Sequence, residues 1–91
     1  MTRAEAEQLI SQRGLTIWAN VRNGDKHIMQ CMDDLGINVF VDYENDEFSI
    51  EWMIPQSIFR VTSGKMSPFS KDDHYNKMMT RMKEIIFQYR N

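Results

Sequence analysis

Hydrophobic and polar positions alternate along residues 37–54. Ile37, Val39, Val41 and Tyr43 are interleaved with Asn38, Phe40 and Asp42; beyond the polar segment Glu44-Asn45-Asp46, Phe48, Ile50, Trp52 and Ile54 are interleaved with Ser49, Glu51 and Met53. Two period-two runs of β-branched and aromatic residues joined by a short polar segment predict a β-hairpin. The rest of the chain is expected to cover one face of it.

Towards the N-terminus, Ala6, Leu9, Ile10 and Arg13 recur at helical spacing behind Thr2 and Glu5, a pair that fits a capping box. Gly14 followed by Leu15 supplies a left-handed glycine cap with an apolar follower, so a short amphipathic helix is predicted over residues 3–13. Leu15, Ile17, Ala19 and Val21 then alternate with Thr16, Trp18 and Asn20, which predicts a strand ending at Asn23-Gly24. A helix over residues 17–35 competes, because Ile17, Val21, Gly24, Ile28, Cys31 and Leu35 also share one helical stripe. Gly24 in its middle would cost about 1 kcal/mol relative to Ala, and Asn23-Gly24-Asp25 is turn chemistry. Strand, turn and helix are therefore preferred. From Lys26 the spacing of Ile28, Cys31, Met32 and Leu35 predicts a second short helix, closed by Gly36 with Ile37 as its follower.

After Ile54, Pro55-Gln56 should turn the chain, and residues 58–62 form a third strand partner with Phe59 and Val61 inward. Residues 62–70 read as a loop ending in a second capping box, Ser70 with Asp73. On the helix that follows, Tyr75, Met78, Met79, Met82, Ile85, Ile86 and Tyr89 fall within a stripe about 120° wide. The pattern predicts a small single α+β domain: a three- to four-stranded antiparallel sheet with a long C-terminal helix and two short helices packed on it.

Composition narrows the class. A chain of 91 residues makes one domain and buries roughly 60 to 65% of the surface its unfolded form exposes. A hydrophobic fraction of 42% with ten aromatic residues suffices for that core and argues against intrinsic disorder. Cys31 is alone, which excludes an internal disulfide framework. No stretch resembles an apolar signal-peptide core or approaches the ~18 to 20 apolar residues of a membrane span. The expectation is a cytoplasmic protein without a membrane association.

Net charge is −2, but it is unevenly laid out. Between Asp33 and Glu51 lie seven acids and no Lys or Arg; from Trp52 onward seven bases face three acids. Such separation steers association with charged partners. Candidate chemistry is sparse. His27 and Cys31 stand four apart on the predicted second helix, yet a transition-metal site needs three or four convergent ligands and nothing at matching spacing supplies the rest. Reactive thiolates occupy electropositive, partly exposed places, whereas Cys31 lies in an apolar stripe beside acids. His74, between Asp73 and Tyr75, reads as a first-turn residue of the long helix. There is no glycine-rich phosphate loop. No catalytic residue, metal or cofactor is assigned.

Surface chemistry points instead to a protein partner. If Ile17, Val39, Val41, Phe48, Ile50 and Trp52 face the helices, Trp18, Phe40 and Met53 face the other way, and aromatic and Met residues are enriched at interface cores. Burial by the N-terminal helix crossing that face is the competing explanation, and a homodimer through Trp18 would use the same residues. The acids Asp42, Glu44, Asp46 and Glu47 crowd the hairpin tip, where they could mimic phosphates or simply keep the tip soluble. On the last helix Phe87, about 140° from the apolar stripe, stands near Lys83 and Arg90. These features suit a non-enzymatic inhibitor or adaptor. Phage-encoded proteins that block a host nucleic-acid-binding complex, anti-CRISPR proteins among them, are a class-level analogy; such a protein would act in the host cytoplasm. The alternative is direct nucleic-acid binding by the basic C-terminal half, which is weakened because Lys77, Arg81, Lys83 and Arg90 spread around the helix and the chain is acidic overall.

Overall fold

The computed structural model describes residues 1–54, 57–60 and 67–90. It is an α+β arrangement in which a single antiparallel sheet is flanked, in sequence, by one helix at each end. The strands are β1 (Thr16–Asn23), β2 (Lys26–Met32), β3 (Ile37–Asp42), β4 (Glu47–Ile54), β5 (Ser57–Arg60) and β6 (Ser67–Pro68); the helices are α1 (Arg3–Gln12) and α2 (Asp72–Arg90). Strand order is β1-β2-β3-β4-β5, a meander in which each strand pairs with its neighbour in sequence, and β6 pairs with β4 at Glu47 and Phe48.

α1 forms as its sequence predicts. The Thr2 hydroxyl accepts from the Glu5 N–H while the Glu5 carboxylate accepts from the Thr2 N–H. At the other end Leu15 N–H reaches the Ile10 carbonyl (3.1 Å) and Gly14 N–H the Ser11 carbonyl (3.0 Å), the two bonds of a Schellman cap. Gly14 makes this possible by adopting φ +70°. The cap turns the chain so that Leu15 is buried at the start of the sheet.

The hairpin over residues 37–54 is also present, with Val39 opposite Ile50 and Val41 opposite Phe48. In cross-strand rows, Ile17, Cys31, Val39 and Ile50 lie side by side, as do Met29, Val41 and Phe48. Those rows are one face of the sheet. Ala6 and Ile10 of α1 and Tyr75, Met79, Met82 and Ile86 of α2 close over it in one buried cluster. Burying an aliphatic or aromatic side chain of this kind contributes about 1.5 to 3 kcal/mol, so the rows define which face is core. Phe48 is its aromatic centre, with the Phe69 and Tyr75 rings at 5.9 and 5.5 Å.

Three expectations are corrected. The second short helix does not exist: residues 26–32 are strand β2, with Met29 and Cys31 buried at a spacing of two. Over seven residues both periods fit this sequence, and pairing with β1 on one side and β3 on the other decides between them. The sheet accordingly has more strands than the three or four predicted. Gly36, read as a helix cap, instead takes φ +82° in the β2–β3 turn, which Asp33 closes by accepting from the N–H groups of Leu35 (3.0 Å) and Ile37 (2.8 Å). Finally, the Ser70–Asp73 capping box is not formed. α2 starts at Asp72, and the Ser70 hydroxyl and N–H both bond the Asp46 carboxylate. The predicted turn at Pro55-Gln56 and the loop around Ser63-Gly64-Lys65 lie outside the described residues.

Candidate functional site

β1 does not alternate throughout. Ile17 pairs with Cys31 but Ala19, not Trp18, pairs with Gln30, so Trp18 is the extra residue of a β-bulge. A single inserted residue exchanges the faces beyond it. Ile17 therefore points to the core, while Val21, which uninterrupted alternation would put on the same face as Ile17, pairs with Ile28 on the outer face and is 40% exposed. The bulge leaves Trp18 53% exposed.

Both helices pack on the core face, and among the described residues no helix covers the other. That outer face carries Thr16 opposite Met32, Ala19 opposite Gln30 and Val21 opposite Ile28, continuing into Phe40 opposite Gln30 and Ser49. Phe40 is half-buried among its neighbours and Met32 is 38% exposed. At one corner Gly14, Thr16, Trp18, Met32, Asp33 and Asp34 enclose an open pocket of about 310 Å³. Trp18 and Met32 supply its apolar body. Asp34, exposed in the β2–β3 turn, supplies an acidic rim.

The predicted site residues separate into three groups. Trp18 and Phe40 share the outer face; Met53 is in β4 at a register position on the same face, opposite Ile58, and its side chain lies outside the described residues. The hairpin acids are largely occupied within the fold. Asp42 is fully buried, which removes it from any surface, and its oxygens accept from the N–H (3.3 Å) and side-chain amide (2.8 Å) of Asn45. Asp46 takes φ +53°, accepts from Ser70 and, through its carbonyl, from the Phe69 N–H. Glu44 sits 2.9 Å from His27 Nδ1, and Glu47 is half-buried opposite Asp42 and Pro68. On α2, Phe87 is 65% exposed and Lys83 is exposed. α2 lies on the opposite side of the sheet from Trp18, so these two groups do not form one surface. The Arg90 side chain lies outside the described residues.

The exposure of Val21 and Met32 is not legible in the sequence: Met32 falls in an apolar stripe at helical spacing, and no sequence signal marks the bulge that exposes Val21.

The candidate reactive groups are dispersed. Cys31 is buried, and burial pushes its thiol up to about 12. His74 packs its ring edge-on against Phe48 at 6.1 Å, with Nε2 buried. Among the described residues no group of three His, Cys, Asp or Glu side chains is placed to hold a metal ion, and no helix is long and apolar enough to cross a membrane. A cleft of about 640 Å³ runs between the α1 cap and α2. Its wall is built by Arg13, which bonds the Leu9 carbonyl (3.0 Å), the Phe69 carbonyl (3.4 Å) and the Asp72 carboxylate. The guanidinium lies 4.8 and 4.9 Å from the centres of the Phe69 and Tyr75 rings.

No family model, curated protein or solved structure matches this chain.

Proposed function

We propose that this chain is a non-enzymatic protein-binding module, an inhibitor or adaptor, that engages its partner through the outer face of the sheet. The observation that supports this reading is the exposed Trp18, which a backbone bulge holds beside Met32 at an acid-rimmed pocket. A large aromatic in a partly formed pocket is the kind of anchor on which interface energy concentrates. The acidic rim suits a partner that sets a basic side chain next to an apolar one, as a host nucleic-acid-binding complex would. A phage-encoded inhibitor of anti-CRISPR type is one form of the proposal. The hairpin acids carry less of it than the outer face, since Asp42 and Asp46 are committed to turns.

The test is capture from lysate of the host with tagged protein, with and without nuclease and at two salt concentrations. A discrete protein retained after nuclease, lost with Trp18→Ser or Met32→Ser and kept with Arg81→Glu, is the expected result. Recovery of nucleic acid alone, lost at higher salt and with Arg81→Glu, would replace this reading with direct nucleic-acid binding. Sedimentation of the purified chain supplies the remaining arm: a dimer dispersed by Trp18→Ser would make a second copy the partner.

A further inference from the structure

On the helix-bearing side of the sheet, at the end opposite the Arg13 cleft, Arg3 of α1, Asn20, Val21 and Arg22 of β1, His27 of β2 and Tyr43 of the β3–β4 loop line a pocket of about 220 Å³. Each of three other clefts in the structure contains carboxylates in its lining: Asp33, Asp34 and Asp72 by Arg13, Asp33 and Asp34 by Trp18, Asp73 and Glu84 on α2. Among the described residues this pocket is lined by two arginines and no acid, the nearest carboxylates being Glu7 and Glu44, which pair with its Arg3 and His27.

Its two arginines are exposed side chains, each with one contact to the fold: the Arg3 Nε–H bonds Glu7 at 3.0 Å and the Arg22 Nε–H bonds the Gly24 carbonyl at 3.3 Å, which leaves their terminal nitrogens for a ligand. His27 Nδ1 lies 2.9 Å from the Glu44 carboxylate and 3.0 Å from the Tyr43 hydroxyl oxygen. In the tautomer that Glu44 selects, Nδ1–H donates to both, so the Tyr43 hydroxyl hydrogen is turned elsewhere and Nε2 is the ring atom left to meet a ligand. Two guanidinium groups from different elements, an imidazole, a phenol and the Asn20 amide outnumber what a planar carboxylate can engage. They suit the terminal oxygens of a phosphate, which accept charge-assisted and bidentate hydrogen bonds from arginine.

We infer that this pocket binds a terminal phosphate dianion, either free phosphate or the phosphate of a small monoester. The site is separate from the Trp18 pocket and does not depend on it.

Amide resonances of the full chain followed by NMR during titration with inorganic phosphate, and in a second arm with glycerol phosphate, at constant ionic strength held by chloride, would test it. Saturable shifts at Asn20, Val21, Arg22 and His27 are expected, with Arg3→Gln and Arg22→Gln each weakening binding about tenfold. Arg81→Gln and Trp18→Ser should leave the titration unchanged, and the spectra themselves report that each variant is folded. Tighter binding of glycerol phosphate assigns the site to an ester, tighter binding of inorganic phosphate to the free anion. Shifts that grow without saturating, that chloride reproduces, or that persist in the Arg3→Gln/Arg22→Gln double variant would overturn the site.

Discussion

Arg13 shows how one side chain can join two distant parts of a small fold. It is 8% exposed, and its burial among Phe69 and Tyr75 lowers its tendency to hold a proton, a cost offset by three hydrogen-bonding partners and two ring faces. Removing such a charge-assisted set is expected to cost about 2 to 3 kcal/mol for Arg13→Ala in urea unfolding; Arg13→Lys should recover little, because the planar fork and the stacking are lost. A loss below about 0.5 kcal/mol would show that the contacts are incidental. Cys31 and Tyr75 give the core a pH response. Burial raises the thiol from an ordinary 9.0 and the phenol from 10.0, each to about 12, with Arg13 opposing and Asp33 and Cys31 reinforcing the rise at Tyr75. Both groups stay protonated in the folded chain while the unfolded chain ionises, so their stabilisation is intact below pH ~9 and is lost as pH climbs towards 12. Urea midpoints should be level from pH 7 to 9 and fall by pH 11, less steeply in Cys31→Val. At Asp46 the backbone and the carboxylate make separate demands. Asp46→Asn keeps a residue tolerant of φ +53° and capable of bonding Ser70; Asp46→Gly keeps only the first, and Asp46→Ala neither. Losses are expected in that order, reaching about 2 kcal/mol for Ala, and any other order by thermal melt would refute this division of roles.

At the scale of elements, the sequence is most legible where a period is long or a cap is complete. The Ile37–Ile54 alternation, the Thr2–Glu5 box and the Gly14 cap each appear in the structure as read. β2 failed because Ile28, Cys31, Met32 and Leu35 satisfy a helical spacing that only the flanking strands overrule. Glycine misled as well: Gly36 followed by an apolar residue is the same short signal whether the preceding segment is helix or strand. Ser70 was misassigned because its hydroxyl answers to Asp46, 24 residues earlier, a distance that local pattern does not see. The acids between Asp33 and Asp46 looked like a charged surface in one dimension, whereas Asp33, Asp42 and Asp46 bind the backbone or side chains of the turns. The β1 bulge was invisible for a related reason, since an inserted residue is defined by its partner strand. It has a measurable consequence: Val21→Thr should change stability by less than about 0.5 kcal/mol, as for an exposed position, where an unbulged β1 would place Val21 in the core and cost more than 1 kcal/mol.

Across the whole molecule, the two sides of the sheet have different uses. One is closed by helices and carries the buried rows; the other presents Trp18, Met32, Val21 and Phe40, with no helix above them among the described residues. Half of the proposed contact surface, Trp18 and Phe40, was legible from alternation alone, while the placement of Phe87 and Lys83 on the opposite side required the third dimension. The meander also bears on how the molecule assembles. Hairpins between sequence neighbours close short loops, and such local pairing forms early and quickly. The Arg13–Asp72 contact spans 59 residues and joins the two helices that cap opposite ends of the chain, so it is made after the strands have condensed. An interaction absent at the folding barrier acts on escape from the native state and leaves arrival there nearly unchanged. Stopped-flow chevrons of Arg13→Ala should therefore show a steeply raised unfolding rate over an almost unmoved folding limb, which makes this latch the feature that sets how long each molecule, once folded, stays folded.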